Sequence, residues 1–116
     1  MKTKKTILKS IFNLLLFFLL IVGCKKEASY KYEVTGTSGS YSVTIQNSDD
    51  NTQQWSKVGN GWTYIWSQTG ERWLYVSAQN NNSTGNVTVK IIKNGKVITQ
   101  NTSYGGYSIA TASGNY

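Results

Sequence analysis

The chain has 116 residues, with 12 Lys and Arg against five Asp and Glu, a formal charge of +7, no histidine, no proline and one cysteine. A single cysteine excludes an internal disulfide, and the lack of histidine removes the commonest general base and zinc ligand. The length suits one small domain.

The first element is a leader. Lys2, Lys4, Lys5 and Lys9 form a basic start, and the apolar run Ile11 to Val22 follows, broken only by Asn13. A spanning helix needs about 20 apolar residues. This run is shorter and has the order of a secretory signal, which predicts a helical signal peptide over residues 1–23. Ile21, Gly23 and Cys24 place an aliphatic residue and a small residue ahead of the sole cysteine, a pattern that resembles the cleavage and lipidation site of bacterial lipoproteins. Cleavage between Gly23 and Cys24 would leave a lipidated Cys24 as the new N-terminus. Several acyl chains, each methylene contributing about 0.8 kcal/mol, would hold it on a membrane.

Four of the 12 basic residues lie in the leader, so the remainder carries eight against five acidic residues, or +3. Lys57, Arg72, Lys90, Lys93 and Lys96 are scattered among polar residues rather than gathered in a stripe, which argues against nucleic-acid binding. Residues 24–29, Cys24-Lys25-Lys26-Glu27-Ala28-Ser29, read as a tether. They resemble the export tag of Bacteroidota lipoproteins with one acidic residue only, which favours the outer membrane, periplasmic or surface-facing. A plain solvated spacer is the alternative.

Residues 30–116 read as all-β. Tyr30, Tyr32 and Val34 alternate with polar residues, as do Tyr41, Val43 and Ile45, then Trp62, Tyr64 and Trp66. Trp73 to Ala78 is apolar on both faces, and Val87, Val89 and Ile91 form a fifth strand. Asn94-Gly95 predicts a two-residue hairpin onto Val97 and Ile98. Tyr107, Ile109 and Thr111 make the last strand. Six to seven short strands separated by turn clusters such as 47–51 and 80–85 predict a small immunoglobulin-like β-sandwich.

Catalysis finds little support. The acidic residues lie apart except for Asp49-Asp50, and no acid and base converge in sequence. Asp49, Asp50 and Asn51 lack the further ligands of a calcium loop and read as a solvated turn. Neither a metal nor a cofactor is expected. The glycosylation pattern occurs at Asn81, Asn82, Asn86 and Asn101, where a polar sequence produces it by chance.

The aromatic residues carry the remaining information. Alternation puts Leu74, Val76 and Ala78 on one face of their strand and Trp73 and Tyr75 on the other. If Trp62, Tyr64 and Trp66 lay beside Trp73 and Tyr75 on the surface, the strip would suit stacking on sugar rings or docking to a protein. The alternative is that these rings, and Trp55 above all, fill a core poor in aliphatic residues.

Tyr32-Glu33-Val34-Thr35-Gly36-Thr37, Trp55-Ser56-Lys57, Val76-Ser77-Ala78-Gln79, Val87 to Ile91 leading into Asn94-Gly95-Lys96-Val97, and Thr102 to Tyr107 occur in an order that resembles the MmpS (mycobacterial membrane protein, small) transport accessory family. The resemblance implies an immunoglobulin-like sandwich and a role beside an RND-type exporter. Members of that family carry a membrane helix and a cysteine pair. This chain has the Cys24 leader in place of the helix, and Val89 and Ala112 near the paired positions, so neither topology nor disulfide carries over. The sequence therefore predicts a non-enzymatic envelope lipoprotein that assists a transporter or another envelope protein. The alternative is a surface glycan-binding module using the exposed aromatics.

Overall fold

The computed structural model describes residues 26–116. The expected signal peptide and the expected cleavage and lipidation site at Gly23-Cys24 lie outside the described residues. Eight strands follow one another: β1 Glu27–Thr35, β2 Tyr41–Gln46, β3 Thr52–Val58, β4 Trp62–Thr69, β5 Trp73–Asn80, β6 Asn86–Lys93, β7 Lys96–Tyr104 and β8 Ile109–Asn115. They form two four-stranded antiparallel sheets, a front sheet ordered β4-β1-β6-β7 and a back sheet ordered β3-β2-β5-β8. Only β2–β3 and β6–β7 are hairpins within a sheet; every other connection passes between sheets.

The architecture is the expected sandwich, with one strand more than the alternation predicts. That strand is β3, an edge strand on which only Trp55 and Val58 are even partly covered, so no apolar period marks it. Two boundaries also differ. β1 starts at Glu27 rather than Tyr30, and Glu27, Ala28 and Ser29 already pair with Thr69, Gln68 and Ser67, so half of the expected tether is strand. Tyr107 lies before β8, in a turn at φ 58°, rather than in the strand.

The core forms where the period-two faces meet. Tyr30, Tyr32 and Val34 of β1 and Val87, Val89 and Ile91 of β6 point from the front sheet. Tyr41, Val43 and Ile45 of β2 and Leu74, Val76 and Ala78 of β5 point from the back. Each fully buried large side chain contributes about 1.5–3 kcal/mol, which chain entropy offsets for the most part. Two tyrosines cross the sandwich in opposite directions. The Tyr32 hydroxyl of β1 donates to the Gln46 carbonyl at 2.8 Å and accepts the Tyr75 amide at 3.2 Å. The Tyr41 hydroxyl of β2 donates to the Asn86 carbonyl at 3.3 Å and accepts the Ser38 amide at 2.9 Å. Buried hydroxyls are thus satisfied, and each sheet is tied to the other.

Asn94 and Gly95 turn the β6–β7 hairpin with φ of 50° and 79°, as their sequence predicts. The turn also docks on β1: the Asn94 amide donates to the Ser29 carbonyl at 2.7 Å, and Asn94 Oδ1 accepts the Ser29 amide at 3.0 Å.

Candidate functional site

The two aromatic groups that the sequence offered as one surface strip are separate. Trp62, Tyr64 and Trp66 alternate on β4 with exposed Thr63, Ile65 and Ser67, and their rings face inward. Trp66 is only 8% exposed; its ring lies 5.5 Å from Tyr30 and 4.6 Å from Tyr32, and its indole N–H donates to Gln68 Oε1 at 2.8 Å. Trp62 lies 4.8 Å from Trp55, and the Tyr64 hydroxyl accepts the Ser48 amide at 3.3 Å. The reason is topological. β3 and β4 are the edge strands on one side of the sandwich, with no ladder between them, and the aromatic rings fill the seam. Trp55 belongs to this wedge.

Trp73 and Tyr75 lie elsewhere, on the outer face of the back sheet, opposite the inward row Leu74, Val76 and Ala78. Trp73 is 51% exposed and Tyr75 is half-buried. The strands around them have an unusual composition: β2, β5 and β8 contain no charged residue, and β3 contributes only Lys57. The outer face therefore presents hydroxyls, amides and rings, together with the exposed Ile109 of β8 opposite Gln79. Thr111 Oγ1 and Ser77 Oγ are 3.1 Å apart, Ser42 Oγ donates to the Ser56 carbonyl at 2.9 Å, and Gln54 Nε2 reaches Thr44 Oγ1 at 3.4 Å. Along β2 and β3 this face has a shallow groove of about 430 Å³ lined by Ser42, Thr44, Gln54, Trp55 and Ser56.

The front sheet is electrostatically different. On its outer face Glu33 lies 3.7 Å from Lys31 and 3.7 Å from Lys90, while on the inward side Lys93, the ladder partner of Tyr30, places its ammonium 5.5 Å from that ring's centroid. Such exposed pairs contribute little stability, but they make this face ionic.

The two ends differ as well. The chain enters β1 at the end that carries loops 47–51, 70–72 and 94–95. There the Arg72 guanidinium donates to the Ser48 carbonyl at 2.7 Å and lies 3.6 Å from Asp50, at the turn that Asn47 Oδ1 caps through the Asp49 and Asn51 amides. Asp50 is committed to that pairing. The opposite end collects loops 36–40, 59–61, 81–85 and 105–108, which contain only Gly, Ser, Thr, Asn and one Tyr. Side-chain amides staple it together: Asn82 Nδ2 donates to Ser38 Oγ at 2.7 Å, Asn81 Nδ2 to Ser40 Oγ at 3.2 Å, and Asn86 Oδ1 accepts the Thr37 amide at 3.0 Å.

Sequence reasoning did not foresee the exposure of five apolar residues: Ile65, Val97, Tyr104, Tyr107 and Ile109. Tyr107 has a local signal, since Gly105-Gly106 before it marks a turn, which argues against starting the strand there.

Burial pushes the Tyr32 hydroxyl up to about 12, against the lowering effect of the Tyr75 amide. Tyr32 is wholly buried between the sheets, which makes it a structural group rather than an acid open to a ligand. Among the described residues no three of His, Cys, Asp and Glu come together in a way that would hold a metal ion. Compared with known proteins, the chain matches no family model and no curated sequence.

Proposed function

We propose that this chain is a non-enzymatic envelope lipoprotein whose sandwich binds an uncharged glycan on the outer face of the back sheet. The observation that carries the reading is Trp73, half-exposed on a face whose other outward groups are chiefly hydroxyls, amides and the Tyr75 ring, with exposed Ile109 beside Gln79. An aromatic face covers the apolar side of a sugar ring, and neighbouring amides and hydroxyls match its equatorial groups. Lipidation at Cys24 supplies the membrane attachment, supported by the leader that precedes it. With the anchor at the end where the chain enters β1, the nine residues of that strand lift the far loops about 30 Å from the bilayer side.

Affinity electrophoresis tests this directly. The detergent-extracted, full-length protein is run through gels containing neutral polysaccharides, with Trp73→Ala alongside. Retardation of the wild type that disappears in a folded Trp73→Ala protein supports the reading. Equal migration of the two in every retarding gel rejects the assigned face.

A second reading, an accessory of an RND-type exporter or another envelope protein, follows from the MmpS resemblance. The two packed sheets agree with the sandwich that this resemblance implies, which supports it, although Val89 and Ala112 stand near the positions of the family's cysteine pair. Affinity capture from crosslinked membranes, compared with an unrelated lipid-anchored control, distinguishes it: enrichment of a transporter favours the accessory role.

A further inference from the structure

Tyr107 is an anomaly that neither the core nor the hairpins need. Its φ of 58° is in the left-handed region, which a bulky residue adopts only at a cost of about 1–3 kcal/mol. No burial of the ring repays that cost, for Tyr107 is 61% exposed. Its neighbours nevertheless hold it firmly. The Tyr107 amide donates to the Asn82 carbonyl at 3.0 Å, and its carbonyl accepts Gln79 Nε2 at 3.1 Å. The Gly105 amide donates to the Gly85 carbonyl at 2.8 Å, and Gly106 lies so close to the Ser83 backbone that any side chain would collide with it. Asn82 is itself fixed, its amide donating to Oδ1 of the fully buried Asn80 at 2.9 Å. A strained, over-determined turn thus presents an exposed ring.

The Tyr107 backbone stands at the end of a row already described. Along β5 the outward residues are Trp73, Tyr75, Ser77 and Gln79, and Gln79 holds the Tyr107 carbonyl. Six residues of strand separate Trp73 from Gln79, about 20 Å at the usual rise of about 3.3 Å. The Ser77 and Thr111 hydroxyls lie in between, and exposed Ile109 stands beside Gln79. Neither β5, β8 nor the loops around Tyr107 carry an acidic or basic side chain.

We propose that Tyr107 is a second aromatic subsite, and that the ligand is an extended, uncharged polysaccharide lying along β5 and β8 from Trp73 to Tyr107. The proposal rests on the glycan reading above and adds the ligand's length and neutrality. Two linked subsites reinforce each other only for a chain long enough to reach both. An anionic polymer gains no ion pair on this row.

The test uses the full-length, detergent-extracted protein with linear mannan, xylan and mixed-linkage glucan, oligosaccharides of increasing length from whichever binds, and alginate as the anionic comparison. Tyr107→Gly is the informative variant, because glycine suits the positive φ while removing the ring. The expected result is a protein at least as stable as wild type that binds long chains about tenfold or more weakly. It should bind the shortest oligosaccharides unchanged. Tyr107→Phe should retain long-chain binding. Long-chain affinity equal to wild type in Tyr107→Gly, with binding lost in Trp73→Ala, overturns the second subsite and leaves the glycan face standing. Tighter binding of alginate than of any neutral chain overturns the neutrality. Failure of the wild type to bind any of these polymers removes the glycan reading and this subsite with it.

Discussion

Tyr32 and Tyr75 meet across the sandwich: the backbone amide of Tyr75 in the back sheet donates to the Tyr32 hydroxyl of the front sheet at 3.2 Å. The same hydroxyl donates to the Gln46 carbonyl at 2.8 Å, so one side chain joins β1 to both β2 and β5. Tyr32→Phe keeps the ring and removes both bonds. It is expected to cost about 1–3 kcal/mol, because the Gln46 carbonyl and the Tyr75 amide lose a partner in the interior. Urea unfolding followed by tryptophan fluorescence measures it; an unchanged midpoint would show that the hydroxyl bridge adds nothing.

The same group sets an alkaline limit. The folded Tyr32 hydroxyl titrates at about 12 against 10.0 for the free side chain. Below pH 10 both states hold the proton and its contribution is complete; above it the unfolded chain loses the proton first, and stability falls as pH rises through about 12. The difference in stability between wild type and Tyr32→Phe is therefore expected to be constant from neutral pH to about 10 and to shrink above it. A difference that stays level to pH 12 contradicts the assignment.

Trp66 and Trp73 are expected to respond oppositely to truncation. Trp66→Ala opens a cavity beside Tyr30 and Tyr32 and should cost about 3–5 kcal/mol. Trp73→Ala removes a half-exposed ring and should shift stability by well under that, while abolishing glycan retardation. Thermal melts of the two variants side by side decide it, and similar losses in both would put Trp73 in the core's service.

The β6–β7 turn offers a backbone test. Gly95→Ala places a Cβ at φ 79° and is expected to destabilise by about 1–2 kcal/mol. That corresponds to a melting shift of about 4–8 °C per kcal/mol for a domain of this size. Asn94→Ala should add the loss of the Ser29 amide bond. A melting point unaffected by either change would mean that the hairpin does not depend on this turn.

For the anchor, Cys24→Ser is expected to abolish incorporation of radiolabelled palmitate and to move the protein out of the membrane fraction. Label retained in the serine variant sinks the lipidation site.

What the sequence revealed followed from how local each signal is. Asn94-Gly95 specifies its turn through two adjacent residues, and the alternation in β1, β2, β5 and β6 records burial on one face, so these elements were legible. β3 was not, because an edge strand such as Thr52-Gln53-Gln54 has solvent on most sides and no apolar period to leave. The aromatic site was half legible for a related reason. Period two separates the faces of one strand, placing Trp73 and Tyr75 together, but it does not say which sheet a strand joins. β4 and β5 follow each other in sequence yet belong to opposite sheets, so Trp62, Tyr64 and Trp66 line the interior seam while Trp73 and Tyr75 face solvent. Tyr107 was hidden because its conformation is imposed by Asn82, Ser83 and Gln79, residues distant in the chain.

The position of β1 also has a mechanical meaning. This strand takes up the chain from the segment that carries Cys24, and it lies inside its sheet, bonded to β4 over Glu27 to Val34 and to β6 over Tyr30 to Thr35. Antiparallel ladder bonds run perpendicular to the strands. A pull along β1 from its N-terminal end therefore loads both ladders in shear, many bonds at once. An edge strand would share the same force with one neighbour only. Under the proposed Cys24 anchor and glycan face, entry through an interior strand would make the domain a holdfast under tension.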